Sequence, residues 1–403
     1  MSPRILELLD LAFRWVHVIA GIMWIGNSLL FNWLDRNLDP ASRGGSDKHG
    51  EIWLLHSGGF YFVEKTSLAG QPLPRRVHWF KWQAYITWLS GAALLLVVYY
   101  FSGRALLTDP TRAAITPGVA TAVALGSLVV GQVVYDVIWR SVGRRSTGGA
   151  AAVSIVALVG LAVALTNLLS GRAAFLHMGA LLATIMAANV AHVIMPSQRR
   201  LESAVATGLE PDPTVAANAK TRSIHNNYLT FPVVVLMLST HFPGVYGHRL
   251  NWLALLILVA VGMAVRHLLN IRYTVRHWVP AFGLTTVSAL AALLALPTLA
   301  GIRDQDGARA ATAARSGPVS FAEARSIVDR RCTACHSTTP SITEFGPAPG
   351  GVSFDDPQRI QSLATRIQVR AIDTRTMPVG NRTHMTEAER AALARWIADG
   401  AGR

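Results

Sequence analysis

Two thiols, Cys332 and Cys335, stand one helical turn apart, and His336 follows at once. This C-x-x-C-H spacing is the attachment sequence of a c-type haem. Thiols so spaced can add to the two vinyl groups of one haem, and the next imidazole then faces the iron. These are the only two cysteines, so neither a disulfide scaffold nor a four-cysteine zinc site can be assembled. Met377, in Thr376-Met377-Pro378-Val379-Gly380-Asn381, is the expected sixth ligand. A Met followed by Pro in a loop is how small c-type cytochromes usually supply it, and Met385 is the competing sulfur. Met/His ligation raises the reduction potential. The chemistry is one-electron transfer.

A second set of reactive side chains lies in or beside long apolar segments, where ionisable groups are rare and functional by default. His17 sits deep in the first such segment, in Trp15-Val16-His17 with Trp24-Ile25-Gly26 beyond. His177 and His241 lie near the ends of later ones. Two of these three, at similar depth on different helices, could ligate a b-type haem. A further cluster reads Arg222-Ser223-Ile224-His225-Asn226-Asn227-Tyr228-Leu229-Thr230. Asn side chains pair with an amide or urea edge in both directions. A helix N-terminus there suits a planar anion. Arg266-His267, Asn270 and the segments His56–Lys65 and His78–Trp82 are similarly rich in charge and aromatics.

These residues need a frame, and the composition supplies it. The chain has 403 residues, 51% hydrophobic and 15% charged. Soluble domains carry about 25% charged residues, so a single water-soluble globule is excluded, and disorder is excluded by the apolar content. The net charge of +14 invites a nucleic-acid reading, but its distribution argues for membrane topology instead. Eight segments approach the roughly 20 apolar residues that cross a bilayer: 8–32, 82–101, 117–138, 150–169, 174–195, 227–243, 252–270 and 279–300. The expected fold is all-α: a polytopic helix bundle over 1–300, a linker over 301–318 and a small helical c-type cytochrome over 319–403, with terminal helices near 320–331 and 386–399. The first span reads as an uncleaved membrane helix.

Cytoplasmic loops carry the excess of Lys and Arg. Setting aside the long first loop, those after spans three, five and seven hold 9 such residues, against 5 in the N-terminal stub and the loops after spans two, four and six. Both termini are therefore expected outside, in the periplasm of a bacterial inner membrane. That is also the side where haem c is normally attached.

Several segments together resemble the membrane-bound bacterial urate oxidases (urate hydroxylases) with a C-terminal cytochrome c domain. They are His56-Ser57-Gly58-Gly59-Phe60-Tyr61 to Lys65, His78-Trp79-Phe80-Lys81-Trp82, Asn189 to Arg200, Arg222 to Pro232, and Arg266-His267-Leu268-Leu269-Asn270. The cytochrome segment follows in the family's order. Gln83 departs from it, since an acidic residue is common there. The resemblance implies oxidation of urate to 5-hydroxyisourate in purine breakdown. Electrons would pass through haem c to a periplasmic cytochrome c or terminal oxidase, without hydrogen peroxide. For an anionic purine, the candidate charge partners are Lys65, Arg222 and Arg266. The candidate bases are His225, Glu64 and His56, imidazole being suited to proton transfer near neutral pH. Asn226, Asn227 and Thr230 would orient the ring, and Phe60 or Tyr228 would stack on it. The rival readings are a quinol or other small-molecule dehydrogenase reducing the same cytochrome, and a non-enzymatic electron-carrying or copper-handling bundle.

Overall fold

A computed structural model describes residues 3–42, 48–68, 72–101, 106–110, 112–210, 212–312 and 318–402. The chain is mostly helical. Helices α1 (Pro3–Asn37) and α2 (Trp82–Leu95, extended by a wider turn to Phe101) pair, as do α3 (Pro117–Ser141) and α4 (Thr147–Leu168). Helix α5 (Gly171–Asn189) runs through a wide turn at Val190–Ile194 into α6 (Met195–Ala206). Then come α7 (Pro213–Ser239), the single turn α8 (Pro243–Tyr246), α9 (Asn251–Ile271) and α10 (Trp278–Thr312).

Among the described residues, seven helices are long and apolar enough to cross a membrane. The eighth expected span, 227–243, forms the second half of α7. Its helix begins at Pro213 and carries Lys220, Arg222, His225, Asn226 and Asn227, so the polar half dilutes its hydropathy. It nonetheless packs along both α5 and α9.

The all-α expectation needs one correction. Residues 48–66 form an antiparallel hairpin, β1 (Lys48–His56) with β2 (Gly59–Thr66), in which Trp53 faces Phe62 and Ile52 faces Val63. Ser57 and Gly58 both have positive φ, at 51° and 76°. Such a pair makes the two-residue turn whose twist matches the strands. Helix α10 also continues through Thr312, where a linker was expected; Ala-rich sequence favours helix. Residues 313–317 of that expected linker lie outside the described residues.

Helix α5 is the hub of the bundle. It buries Ala173, Ala174, Phe175, Met178, Leu181, Leu182 and Ile185 against its neighbours. Small residues allow the close approaches. A Cβ on Gly131 would fall inside Leu181, and one on Gly262 of α9 would stand 2.7 Å from the nitrogen of Pro232 in α7. Pro232 has no N–H to donate, and Gly262 fills the space beside it. Gly262→Val is expected to overpack this crossing and lower stability by about 1–3 kcal/mol. A fall in the thermal unfolding midpoint of the detergent-purified chain is the measurement. By contrast α1 and α10 turn bare apolar faces outward: Leu8, Leu11, Trp15 and Ile22 on one, Leu284, Val287, Leu290 and Leu294 on the other.

The C-terminal residues have their own core, built from Val319, Ile327, Val328, Phe354, Ile360, Ile367, Met385, Leu393 and Trp396. Helix α11 (Phe321–Arg331) starts on a Ser320 cap, and α14 (Glu387–Ala398) starts on a capping box of Thr386 and Glu389. Both coincide with the expected terminal helices. The short α12 (Pro357–Ser362) and α13 (Ala364–Ile367) lie between them. Arg331 pins the two ends together through Glu389, at 3.0 Å. This unit touches the bundle where α7 ends. Arg370 reaches the Tyr246 hydroxyl at 3.5 Å, and Gly247 abuts Thr374.

Candidate functional site

Consecutive residues of α7 face different helices, and two polar networks meet there. Asn226 faces α5. It accepts from Asn189 Nδ2 at 2.9 Å and donates to the Met186 carbonyl at 2.9 Å. Asn189 Nδ2 also donates to the Tyr135 hydroxyl of α3, at 3.0 Å. That hydroxyl lies 2.7 Å from His225 Nδ1. A buried Tyr O–H needs an acceptor, and the imidazole lone pair is the acceptor it has. Tyr135 therefore donates to His225 Nδ1, and the neutral ring carries its proton on Nε2. Trp139 covers that ring at 4.0 Å between centroids. Arg222 stacks over Tyr135 at 4.8 Å and reaches Asp136 at 3.2 Å.

Asn227 faces α9. Its Oδ1 accepts from Arg266 Nε at 3.1 Å and from Asn270 Nδ2 at 2.7 Å. Arg266 is fully buried. It also reaches the Ser28 hydroxyl of α1 at 3.1 Å and lies over Phe231 at 5.4 Å. Tyr228 pairs with His267 at 2.8 Å. Thr230 spends its hydroxyl on the Asn226 carbonyl, at 2.8 Å.

Three buried atoms of these networks have no partner: Arg222 Nη1, Arg266 Nη1 and Asn189 Oδ1. Each such group costs about 1–3 kcal/mol when left unmet, more when charged. Arg222 Nη1 and Asn189 Oδ1 belong to the α3 and α5 network and Arg266 Nη1 to the α9 network; the cationic donors suit an anion and the carbonyl suits an N–H group.

The family model described as "Urate oxidase N-terminal" matches residues 3–296. The chain belongs to this family. Membership implies an oxidoreductase, with urate oxidation as the family chemistry. No curated protein and no solved structure matches the chain.

Not all the expected site residues of this urate oxidase relative converge. Arg222, His225 and Asn226 come together on the α3 and α5 side of α7, and Asn227 with Arg266 on its α9 side, with Thr230 supporting Asn226 and Tyr228 paired to His267. The hairpin residues do not. Glu64 pairs with Lys48 at 2.8 Å, Lys65 with Asp35 at 2.6 Å, and His56 is exposed at the turn. His225 has its Nδ1 lone pair engaged by Tyr135, so the side it offers a ligand is a donor, not the expected base. Tyr135, Asn189 and Ser28 join the networks although the sequence assigns them no role, as does Asp136, an ionisable group near the end of an apolar span. The available signal was a polar side chain recurring near the ends of several apolar helices.

His17, His177 and His241 are not brought together. His17 Nδ1 lies 2.9 Å from the Thr87 carbonyl, beside Gly91 of α2. His177 is fully buried and uses both nitrogens, on the Ala173 carbonyl at 2.8 Å and the Tyr100 hydroxyl at 2.7 Å. Their partners, Thr87 and Tyr100, stand roughly 20 Å apart along the α2 segment at about 1.5 Å per residue. His241 is exposed at the end of α7. The expected b-type haem does not fit this set. Among the described residues, no three His, Cys, Asp or Glu side chains converge as a metal ion would need.

His336 Nδ1 lies 3.1 Å from the Val352 carbonyl. A carbonyl only accepts, so Nδ1 carries the proton and the Nε2 lone pair is left for iron. Burial, above other causes, holds His336 below the usual imidazole range, which favours the neutral ring. Burial pushes the Cys332 thiol up to about 12, which makes it a poor free nucleophile. Met385 is 3% exposed within the core, whereas Met377 is half-buried in a loop held by Arg390 on its carbonyl, at 2.9 Å. Met377 is the sulfur better placed for a ligand.

Proposed function

We propose that this chain is a membrane-bound urate oxidase that passes electrons to a haem c in residues 319–403. The unmet atoms on Arg222, Arg266 and Asn189 are the observation that carries the substrate site. The bare apolar faces of α1 and α10 support the membrane reading, since patches of that extent are rare on soluble surfaces. The loop charges support a bacterial inner-membrane setting with both termini and the cytochrome domain periplasmic.

Neutral urate loses two electrons and two protons and adds one whole water, its hydroxyl on carbon and its remaining hydrogen on nitrogen, to give 5-hydroxyisourate. Arg222 and Arg266 neutralise its charge within the bundle, where a cation acts strongly. Asn189 Oδ1 accepts one of its N–H groups, and the His225 Nε2–H donates to a ring carbonyl. Asn227 holds Arg266 in place and is itself held by Asn270. When bound, a c-type haem supplies a one-electron acceptor, so urate is oxidised in two successive transfers. Cys332, Cys335, His336 and Met377 would hold it. Its domain docks at the far end of α7, roughly 20 Å along the helix from Asn226. The buried rings of Tyr99, Tyr100, Phe175, His177 and Tyr246 lie beneath that dock. The electrons leave to a periplasmic cytochrome c or terminal oxidase.

The test is anaerobic turnover of the purified holoprotein with urate and an external cytochrome c. Formation of 5-hydroxyisourate with matching cytochrome reduction and no peroxide is expected. Reduction by a quinol but not by urate would make it the rival dehydrogenase. A separate expectation concerns the axial sulfur. Met377→Ala is expected to abolish the sulfur-to-iron band of the ferric spectrum, and Met385→Ala to keep it. The reverse pattern moves the ligand to Met385.

A further inference from the structure

Outside both networks, an open cleft lies between the segment entering α2 and the helix α6. It is lined by His78, Trp79, Lys81, Trp82, Arg199 and Glu202 among others, with a volume of about 630 Å³. That is within the range of small-ligand sites. Lys81 Nζ stands 5.4 Å from the Trp79 ring centre and 5.7 Å from that of Trp82. The Arg199 guanidinium stands 6.0 Å from Trp79 as well. One indole thus seats two cations. Among the described residues, neither cation forms an ion pair, and Glu202 bridges to neither. Two cations against one carboxylate leave the cleft net positive, and an anion between Lys81 and Arg199 relieves their repulsion.

The surroundings say what kind of anion. Trp82 is 63% exposed and Phe80 is 53% exposed. Both sit at the start of the segment 82–101, which is apolar enough to cross a bilayer. Exposed indoles at the end of such a helix mark the headgroup level, and basic pockets there attract anionic lipid.

We propose that this cleft binds the phosphate of an anionic phospholipid, with Lys81 and Arg199 on the phosphate oxygens and Trp79 and Trp82 against the glycerol and upper chains. The inference rests on the membrane reading above. A free phosphate ion shares the chemistry, so the test separates the two sources. Full-length protein, stripped of lipid in detergent, is titrated with dioleoylphosphatidylglycerol, dioleoylphosphatidylcholine, inorganic phosphate and urate. Bound ligand is counted by native mass spectrometry. The wild-type chain is expected to bind phosphatidylglycerol at least tenfold more tightly than phosphatidylcholine. The Lys81→Gln, Arg199→Gln double variant is expected to lose that preference, and Lys81→Arg to keep it. Equal phosphatidylglycerol binding by wild type and double variant overturns the proposal. Displacement of the lipid by millimolar phosphate or urate overturns it too, and makes this a soluble-anion site. Glu202→Gln removes a carboxylate from the cleft and is expected to tighten phosphatidylglycerol binding, which keeps a test in hand where the double variant does not fold. Unchanged affinity in that variant counts against the proposal. Release of the chain from membranes by alkaline carbonate contradicts the membrane reading itself, whereas retention with no lipid preference sinks this inference alone.

Discussion

Arg266→Gln is expected to lower kcat/KM for urate by roughly 30- to 4,000-fold. The range follows from about 2–5 kcal/mol for truncating one partner of a buried, hydrogen-bonded charge pair, at about 1.4 kcal/mol per tenfold. Arg266 is fully buried, and one guanidinium N–H group has no partner. Its other nitrogens are held by Asn227 and Ser28, so the free N–H is fixed in direction. A Gln keeps a polar side chain but loses the charge. Ser28→Ala is the control for helix packing, since it removes one 3.1 Å contact and leaves the cation. It is expected to change kcat/KM only a few-fold. Steady-state kinetics on both variants separate the two causes: equal losses would make Arg266 a structural cross-brace between α1, α7 and α9.

The second large effect concerns the other end of the molecule. Replacing Cys332 and Cys335 together by Ser is expected to abolish covalent haem and to reduce urate-dependent reduction of external cytochrome c to background. Urate binding, measured by equilibrium dialysis, is expected to persist. The two sites lie in separate cores, and the contact between them, Arg370 with Tyr246, does not involve either thiol. Full electron output from the double variant would mean that the C-terminal unit lies off the path.

Much of this was legible from the residues themselves. The haem motif is a local spacing, so it needs no fold to be read. Helix α7 was legible as a site because His225, Asn226 and Asn227 interrupt apolar sequence. Its partners were not. Tyr135 and Asn189 look like single polar residues in ordinary apolar helices, and only the packing of α3 and α5 onto α7 shows that Asn189 donates to both Tyr135 and Asn226. The hairpin is hidden in the sequence because its charged residues, His56, Glu64 and Lys65, interrupt the aromatic alternation that marks its strands. Ser57-Gly58 between aromatic-rich runs is a turn signal, and the register it sets sends Glu64 to Lys48. His17, His177 and His241 show the limit of depth arguments. His17 and His177 occupy the same half of the expected bilayer, yet each is committed to a different part of α2. The hydropathy count likewise blurred at α7, whose polar half belongs to the same continuous helix as the apolar half.

The central claim is that urate is oxidised at the inner networks and that its electrons emerge at the C-terminal haem. The most direct measurement compares urate-driven with dithionite-driven reduction of haem c in wild type and in Asn227→Ala, followed anaerobically by stopped flow. Asn227 Oδ1 serves both Arg266 and Asn270, so its loss leaves two buried donors unmet. A cost of about 1–3 kcal/mol corresponds to a roughly five- to two-hundred-fold slower urate-driven rate. Dithionite, a small diffusible reductant that acts on the haem directly, is expected to reduce both proteins at the same rate. Urate-driven reduction at the parental rate in Asn227→Ala would contradict the account and place the substrate elsewhere, beside the cytochrome on the periplasmic face.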